Sequence, residues 1–131
     1  MTLFVDASAL IAVIAQEPGH DGFIDAIAED ADPLWSPMVC WEAIVSLRKA
    51  PGYGLERAWR EVEAFATARP FRLVPIGEDE RRIALDAYHR YGKGRHEASL
   101  NMGDCFAYAC ARTNDARLLY KGDDFARTDI A

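Results

Sequence analysis

Thr2-Leu3-Phe4-Val5-Asp6-Ala7-Ser8-Ala9-Leu10-Ile11-Ala12-Val13-Ile14-Ala15 is the stretch on which the architecture turns. Its first four residues are a short β-branched and aromatic run, the composition of a buried strand. Asp6 ends that run, and Ser8 to Ala15 is apolar almost all round, which predicts a buried helix. The alternation then repeats along the chain. Pro18-Gly19 breaks the first helix, and a second is expected over His20 to Glu29 with Phe23, Ile24 and Ile27 inward. Leu34-Trp35-Ser36 reads as a strand, and Pro37 suits the first turn of a helix running to Lys49 before Pro51-Gly52 ends it.

Leu55 to Arg69 has the plainest helical pattern. Leu55, Trp59, Val62 and Phe65-Ala66 form one stripe, opposite Glu56, Arg57, Arg60, Glu61 and Glu63. Phe71 to Pro75 reads as a strand and Asp79 to Tyr91 as a helix with Ile83, Ala87, Tyr88 and Tyr91 inward. A basic loop punctuated by glycine follows at Gly92-Lys93-Gly94-Arg95-His96. The last elements are a helix over Gly103 to Arg112, a turn at Asn114-Asp115 and a strand at Arg117-Leu118-Leu119-Tyr120. Strands separated by helical segments imply a parallel α/β sheet with helices on both faces.

The 131 residues suit a single domain, expected to span 1–131, and bury roughly two-thirds of the unfolded surface. Half are hydrophobic and 27% charged, an ordinary soluble balance. The apolar run from Ala7 to Ala15 is far shorter than the roughly 20 residues a membrane span needs. The opening residues also lack the basic start of a signal peptide, so no membrane association and a cytoplasmic location are expected. Cys40, Cys105 and Cys110 are odd in number and lack C-x-x-C spacing, which argues against a disulfide framework and a thiolate zinc site. They read as small buried hydrophobes. A net charge of -6 argues against a simple electrostatic nucleic-acid binder. It leaves room for an enzyme that meets a phosphate backbone through cations and a local basic patch.

Acids stand where such cations would be wanted. Asp6 closes the first strand, Glu42 lies one turn into the third helix, Asp104 falls in the first turn of the last helix, and Asp123-Asp124 follow the last strand. In an open parallel sheet, functional groups collect at the carboxyl ends of the strands. Each acid alone has a structural use: Asp6 as a cap, Asp104 as a first-turn acid favoured by the helix dipole, Asp123-Asp124 as turn residues. Glu42 has Met38 and Ser46 at i±4, so no local base neutralises it. Jointly they point to a hard divalent ion, Mg²⁺ with Mn²⁺ as a substitute, bound by oxygen ligands. There is no Walker loop, no G-x-G-x-x-G and no serine–histidine–acid triad, because His20, His89 and His96 stand in polar contexts.

The same residues carry a resemblance. Phe4-Val5-Asp6-Ala7-Ser8-Ala9-Leu10, a glutamate at position 42 and Leu100-Asn101-Met102-Gly103-Asp104-Cys105-Phe106-Ala107-Tyr108-Ala109 resemble the PIN-domain ribonucleases. Tyr91 to His96 and the ending Leu118-Leu119-Tyr120-Lys121-Gly122-Asp123-Asp124-Phe125-Ala126-Arg127-Thr128-Asp129-Ile130 resemble the VapC toxins of toxin–antitoxin pairs. The resemblance implies a three-layer α/β/α PIN-like domain with a small parallel sheet. It implies a Mg²⁺- or Mn²⁺-dependent endoribonuclease leaving 5′-phosphate and 3′-hydroxyl ends, inhibited by a cognate antitoxin and forming a homodimer. Asp6 and Asp104 then correspond to direct metal ligands, and Glu42 to a third acid that ligates or orients water. Either Asp123 or Asp124 is the fourth. Ser8 corresponds to the hydroxyl beside the first acid and Asn101 to a hydrogen-bonding group near the site. Trp41 departs from the family, where a small or hydroxyl residue is frequent before this glutamate.

For the basic loop, a functional reading places Arg95, with Lys93, on RNA phosphates, and Lys121 and Arg127 are weaker candidates for the same role. Two other functions fit parts of the pattern. A non-catalytic module binding antitoxin or RNA on the same fold has no need of acids at all four positions. A phosphotransfer receiver pairs two acids after its first strand, whereas here Asp6 is followed by Ala7-Ser8.

Overall fold

A computed structural model describes residues 2–130 of the chain. Strands β1 (Leu3–Val5), β2 (Leu34–Trp35), β3 (Arg72–Leu73) and β4 (Arg117–Leu119) make one parallel sheet in the order β3-β2-β1-β4. Helices α1 (Ala7–Ile14), α2 (His20–Glu29), α3 (Pro37–Leu47), α4 (Gly54–Ala68), α5 (Glu78–Tyr91) and α6 (Met102–Thr113) connect and cover it, and a 3₁₀ turn, Phe125–Arg127, follows β4. This is the expected α/β/α architecture with a small parallel sheet.

Leu3, Phe4 and Val5 are buried throughout β1, as a strand covered on both faces requires. Phe4 stands opposite Leu34 on one side and Leu118 on the other, so β1 is central. The chain moves outward from β1 to β2 and β3, then returns to the far side of β1 as β4. That reversal opens a crevice at the carboxyl ends of β1 and β4, the place where open α/β sheets gather ligands. The Asp6 N–H donates to Leu119 O at 2.9 Å and carries the ladder to the crevice edge.

Local chemistry sets the helix starts. Asp6 caps α1, accepting from the Ser8 N–H at 3.1 Å. Buried Ser36 caps α3, accepting from the Val39 N–H at 3.2 Å, with Pro37 in the first turn. Ser36 therefore starts a helix and does not extend β2. β3 is shorter than Phe71 to Pro75, because pairing with the two-residue β2 offers it only two partners. The small residues of α6, Ala107, Ala109, Cys110 and Ala111, are all buried, which lets this helix lie close against β1 and β4.

The stripe on α4 divides. Ala58, Val62 and Ala66 face the core, while Leu55 and Trp59 are 48% and 56% exposed. α4 packs on α3 with the smaller half of its stripe, and the two large side chains overhang. Tyr88 on α5 is also exposed, while Ala84 and Ala87 carry the inward packing. Cys105 and Cys110 are buried and Cys40 half-buried. Among the described residues, no helix is long and apolar enough to cross a membrane.

Candidate active site

A helix joining two parallel strands runs antiparallel to them, so the N-terminal turns of α3 and α6 lie at the carboxyl edge of the sheet. Topology thus brings Asp6 from the end of β1, Glu42 from α3, Asp104 from α6 and Asp124 from the loop after β4 into one electrostatic neighbourhood. The charges of Asp6 and Asp104 act on Glu42, those of Asp6 and Asp124 act on Asp104, and Asp124 acts on Asp6.

Asp6 is only 4% exposed. Its Oδ2 accepts from the Ser8 N–H and, at 2.5 Å, from the Ser8 hydroxyl. Burial raises its carboxyl above the usual range, and the Ser8 bonds offset part of that rise. Ser8 does more than complete a cap. Its Oγ accepts from the Lys121 N–H at 3.0 Å, joining the first acid to the loop that carries the last.

Asp104 and Asn101 form a reciprocal capping box at the start of α6. The Asp104 N–H donates to Asn101 Oδ1 at 2.9 Å, and the Asn101 N–H donates to Asp104 Oδ2 at 3.1 Å. Asn101 therefore fixes the rotamer of the acid. Burial pushes Asp104 up to about 6; the Asn101 N–H lowers it, and the charges of Asp6 and Asp124 raise it further.

Glu42 is half-buried and is pushed up to about 7, first by burial and then by Asp6 and Asp104. Its carboxylate lies against Gly103, where a Cβ would overlap it. The sequence pattern did not single out Gly103, although a glycine within a helical turn costs about 1 kcal/mol relative to alanine and signals a close approach.

The two aspartates after β4 separate. Asp124 bears on Asp6 and Asp104, whereas the Asp123 carbonyl accepts the Ala126 N–H that opens the 3₁₀ turn. Both are exposed. The Lys121 ammonium pairs with Glu17 at 2.9 Å. Arg127 reaches Glu97 O at 3.5 Å. Arg95 is exposed, and its guanidinium bonds the carbonyl and ring of His89. Lys93, also exposed, begins the loop that a Gly92–Leu100 bridge closes immediately before Asn101.

Among the described residues, no salt bridge involves Asp6, Glu42, Asp104 or Asp124. Nor do three His, Cys, Asp or Glu side chains converge closely enough, as placed, to hold a metal ion. Two of these carboxylates are held by Ser8 and Asn101. The donor set nevertheless fits a hard divalent ion: all the groups are carboxylates, and the raised pKa values of Asp6, Glu42 and Asp104 mark negative charge that the fold leaves unneutralised.

Comparison with known proteins places the chain in a family. The family model described as "PIN domain" matches residues 3–131. A ribonuclease VapC of Mycolicibacterium smegmatis is 36% identical over 129 residues, covering 98% of each chain. Among solved structures, Mycobacterium tuberculosis VapC20, described as a sarcin-ricin loop cleaving toxin, superposes with a TM-score of 0.75 at 20% identity, over 95% of this chain and 92% of that one. A chain of a toxin–antitoxin complex from Klebsiella pneumoniae superposes with a TM-score of 0.70 at 20% identity, over 99% and 94%. The chain belongs to the PIN-domain family and, within it, to the VapC ribonucleases.

Proposed function

We propose that this chain is a divalent-metal-dependent endoribonuclease, the toxin of a toxin–antitoxin pair, folded as one PIN-like domain. The observation that carries the reading is the gathering of four acids from four separate segments into one electrostatic neighbourhood at the sheet switch point, with Asp6, Glu42 and Asp104 all held above their ordinary pKa. Asp6, Asp104 and Asp124, with Glu42 as ligand or water-orienting group, would hold Mg²⁺ or Mn²⁺. When bound, the ion supplies Lewis-acid polarisation of the phosphodiester and offsets the charge of the approaching RNA.

The protein groups do the positioning. Ser8 locks the Asp6 carboxylate and ties it to the Lys121 loop. Asn101 locks Asp104 from the opposite side. Glu42, lying in the space over Gly103, would accept a hydrogen bond from the attacking water and align it with phosphorus. Arg95 and Lys93, exposed on the loop that leads into α6, would meet the RNA backbone.

An antitoxin partner is supported by the structural neighbour described as a toxin–antitoxin complex. This chain offers such a partner an apolar groove of about 650 Å³ between α3 and α4, with Trp41 and Trp59 60% and 56% exposed. A homodimer belongs to the same reading.

Cleavage of RNA by the purified chain, with and without Mn²⁺, tests the proposal. Metal-dependent cleavage that Asp104→Asn abolishes is expected. Equal cleavage in EDTA would refute the metal reading, and binding without turnover would leave only an RNA- or antitoxin-binding module.

A further inference from the structure

The site's fourth acid sits on the least supported segment of the four. Asp6 ends a central strand, Glu42 and Asp104 are on helices, but Asp124 lies in an exposed loop. Gly122 in that loop takes a positive φ of 99°. Among the described residues, only the 3₁₀ turn Phe125–Arg127 follows it. Its location depends on how the chain is fastened on either side.

Upstream, the fastening is the Ser8–Lys121 bond already described. Downstream, Phe125 is buried against Tyr120 with ring centroids 5.2 Å apart, and the Thr128 N–H and hydroxyl both bond Phe125 O. One residue further, Asp129 enters a clamp. Its Oδ1 accepts from the Tyr108 hydroxyl at 2.7 Å, and its Oδ2 accepts from Arg90 at 3.2 Å and pairs with Arg112 at 3.1 Å. Arg112 also donates to Asp129 O at 3.3 Å.

The clamp joins three elements. Arg90 comes from the last turn of α5, Tyr108 and Arg112 come from α6, and Tyr108 is itself buried. Arg90 further donates to the Tyr91 hydroxyl at 2.8 Å and lies 4.8 Å over that ring. The guanidinium groups are therefore pre-arranged, and charge-assisted bonds to one carboxylate are the stronger kind. α6 is also the helix that carries Asp104. Asp129 thus fixes the C-terminal turn to the same helix as Asp104.

We propose that Asp129 is a positioning residue: gripped by Tyr108, Arg90 and Arg112, it sets the place of the Asp124 carboxylate relative to Asp104 and Asp6. The inference rests on the metal-dependent reading of those acids. It assigns to the clamp the role of a support that orients a metal ligand, whose removal typically weakens metal affinity about 10- to 100-fold. When the clamp opens, the Asp124 turn leaves the site while Asp6, Glu42 and Asp104 stay.

The test is Mn²⁺ binding by calorimetry, with hydrogen exchange of residues 121–130, on wild type, Asp129→Ala, Asp124→Asn and the double variant. Asp129→Ala is expected to weaken Mn²⁺ binding about as much as Asp124→Asn, at least about tenfold. The double variant is expected to bind no worse than Asp124→Asn alone, and exchange is expected to rise only in the C-terminal segment. Asp129→Glu, which keeps the charge, should recover part of the affinity. Should Asp129→Ala fail to fold, Tyr108→Phe removes one clamp bond and is expected to shift Mn²⁺ affinity in the same direction. Wild-type affinity in Asp129→Ala or Tyr108→Phe, or additive losses in the double variant, would overturn the clamp and leave the acid site standing. Wild-type affinity in Asp124→Asn would instead remove Asp124 from the site and the clamp proposal with it.

Discussion

The Glu42 carboxylate occupies the space that a side chain on residue 103 would fill, so Gly103 is what allows α3 and α6 to share one acidic site. Substituting Gly103→Ala puts a methyl group where the carboxylate lies. The end of a glutamate is free to swing, and alanine is favoured over glycine in a helix by roughly 0.5–1 kcal/mol. Thermal stability is therefore expected to hold or rise slightly while RNA cleavage falls about a hundredfold, the usual effect of an ångström-scale misplacement. Denaturation and cleavage measured on the same preparation check this. Undiminished cleavage would show that the position of Glu42 is irrelevant.

The neighbouring aspartates are expected to behave differently. Asp124 acts on Asp6 and Asp104, whereas Asp123 offers its carbonyl to the 3₁₀ turn. Asp124→Asn should lower cleavage at least about a hundredfold, the scale on which losing one charge-stabilising group is felt. Asp123→Asn should stay within a few-fold of wild type. The reverse order would reassign the fourth acid.

Stability without metal should fall as pH rises. Glu42 moves from 4.5 in the unfolded chain to about 7, and Asp104 from 3.8 to about 6. A carboxyl with a raised folded pKa binds its proton more tightly when folded, so the folded state is favoured at acid pH. That advantage is lost between roughly pH 4 and 7 as both groups ionise inside the fold. Melting in EDTA is expected to move downward across this window, with Glu42→Gln flattening the curve. Millimolar Mn²⁺ should restore the melting temperature at pH 7 to 8 by mass action, since it binds the ionised acids of the folded state. A melting temperature independent of both pH and Mn²⁺ would contradict a cluster of unneutralised acids.

Arg95 is exposed and, among the described residues, its guanidinium bonds only the carbonyl and ring of His89, which leaves it able to reach a phosphate. Arg95→Ala should weaken RNA binding and reduce the slope of log affinity against log salt by about 1, with little dependence on RNA sequence. Binding titrations at three salt concentrations measure this. An unchanged slope would exclude Arg95 from the backbone contacts.

Much of the architecture was legible because it depends on local pattern. The Leu3-Phe4-Val5 strand, the apolar helix after Asp6 and the α6 segment announce themselves through hydrophobic period and, for α1, through the cap at Asp6; the caps at Ser36, expected to end a strand, and at Asn101, expected only to hydrogen-bond near the site, came from the structure. Tyr88, expected to face inward, is exposed, and on α4 too pattern and packing part company. Trp59 and Leu55 sit on the same helical stripe as Val62, yet α4 meets α3 through Ala58, Val62 and Ala66 and leaves the larger residues outside. Periodicity reports which face of a helix is apolar; the depth of contact depends on the partner helix.

The candidate site divides along the same line. By itself the sequence determined which carboxylates stand at strand ends and helix starts, and their residue types imply a hard cation. Only the tertiary structure showed that the charge of Asp124 bears on Asp6 and Asp104, that Ser8 joins the first acid to the last loop, and that Gly103 makes room for Glu42. Each of these is a relationship between segments far apart in the chain. It arises from sheet order, which sends the chain out to β3 and back to β4 beside β1, and no local propensity encodes that return.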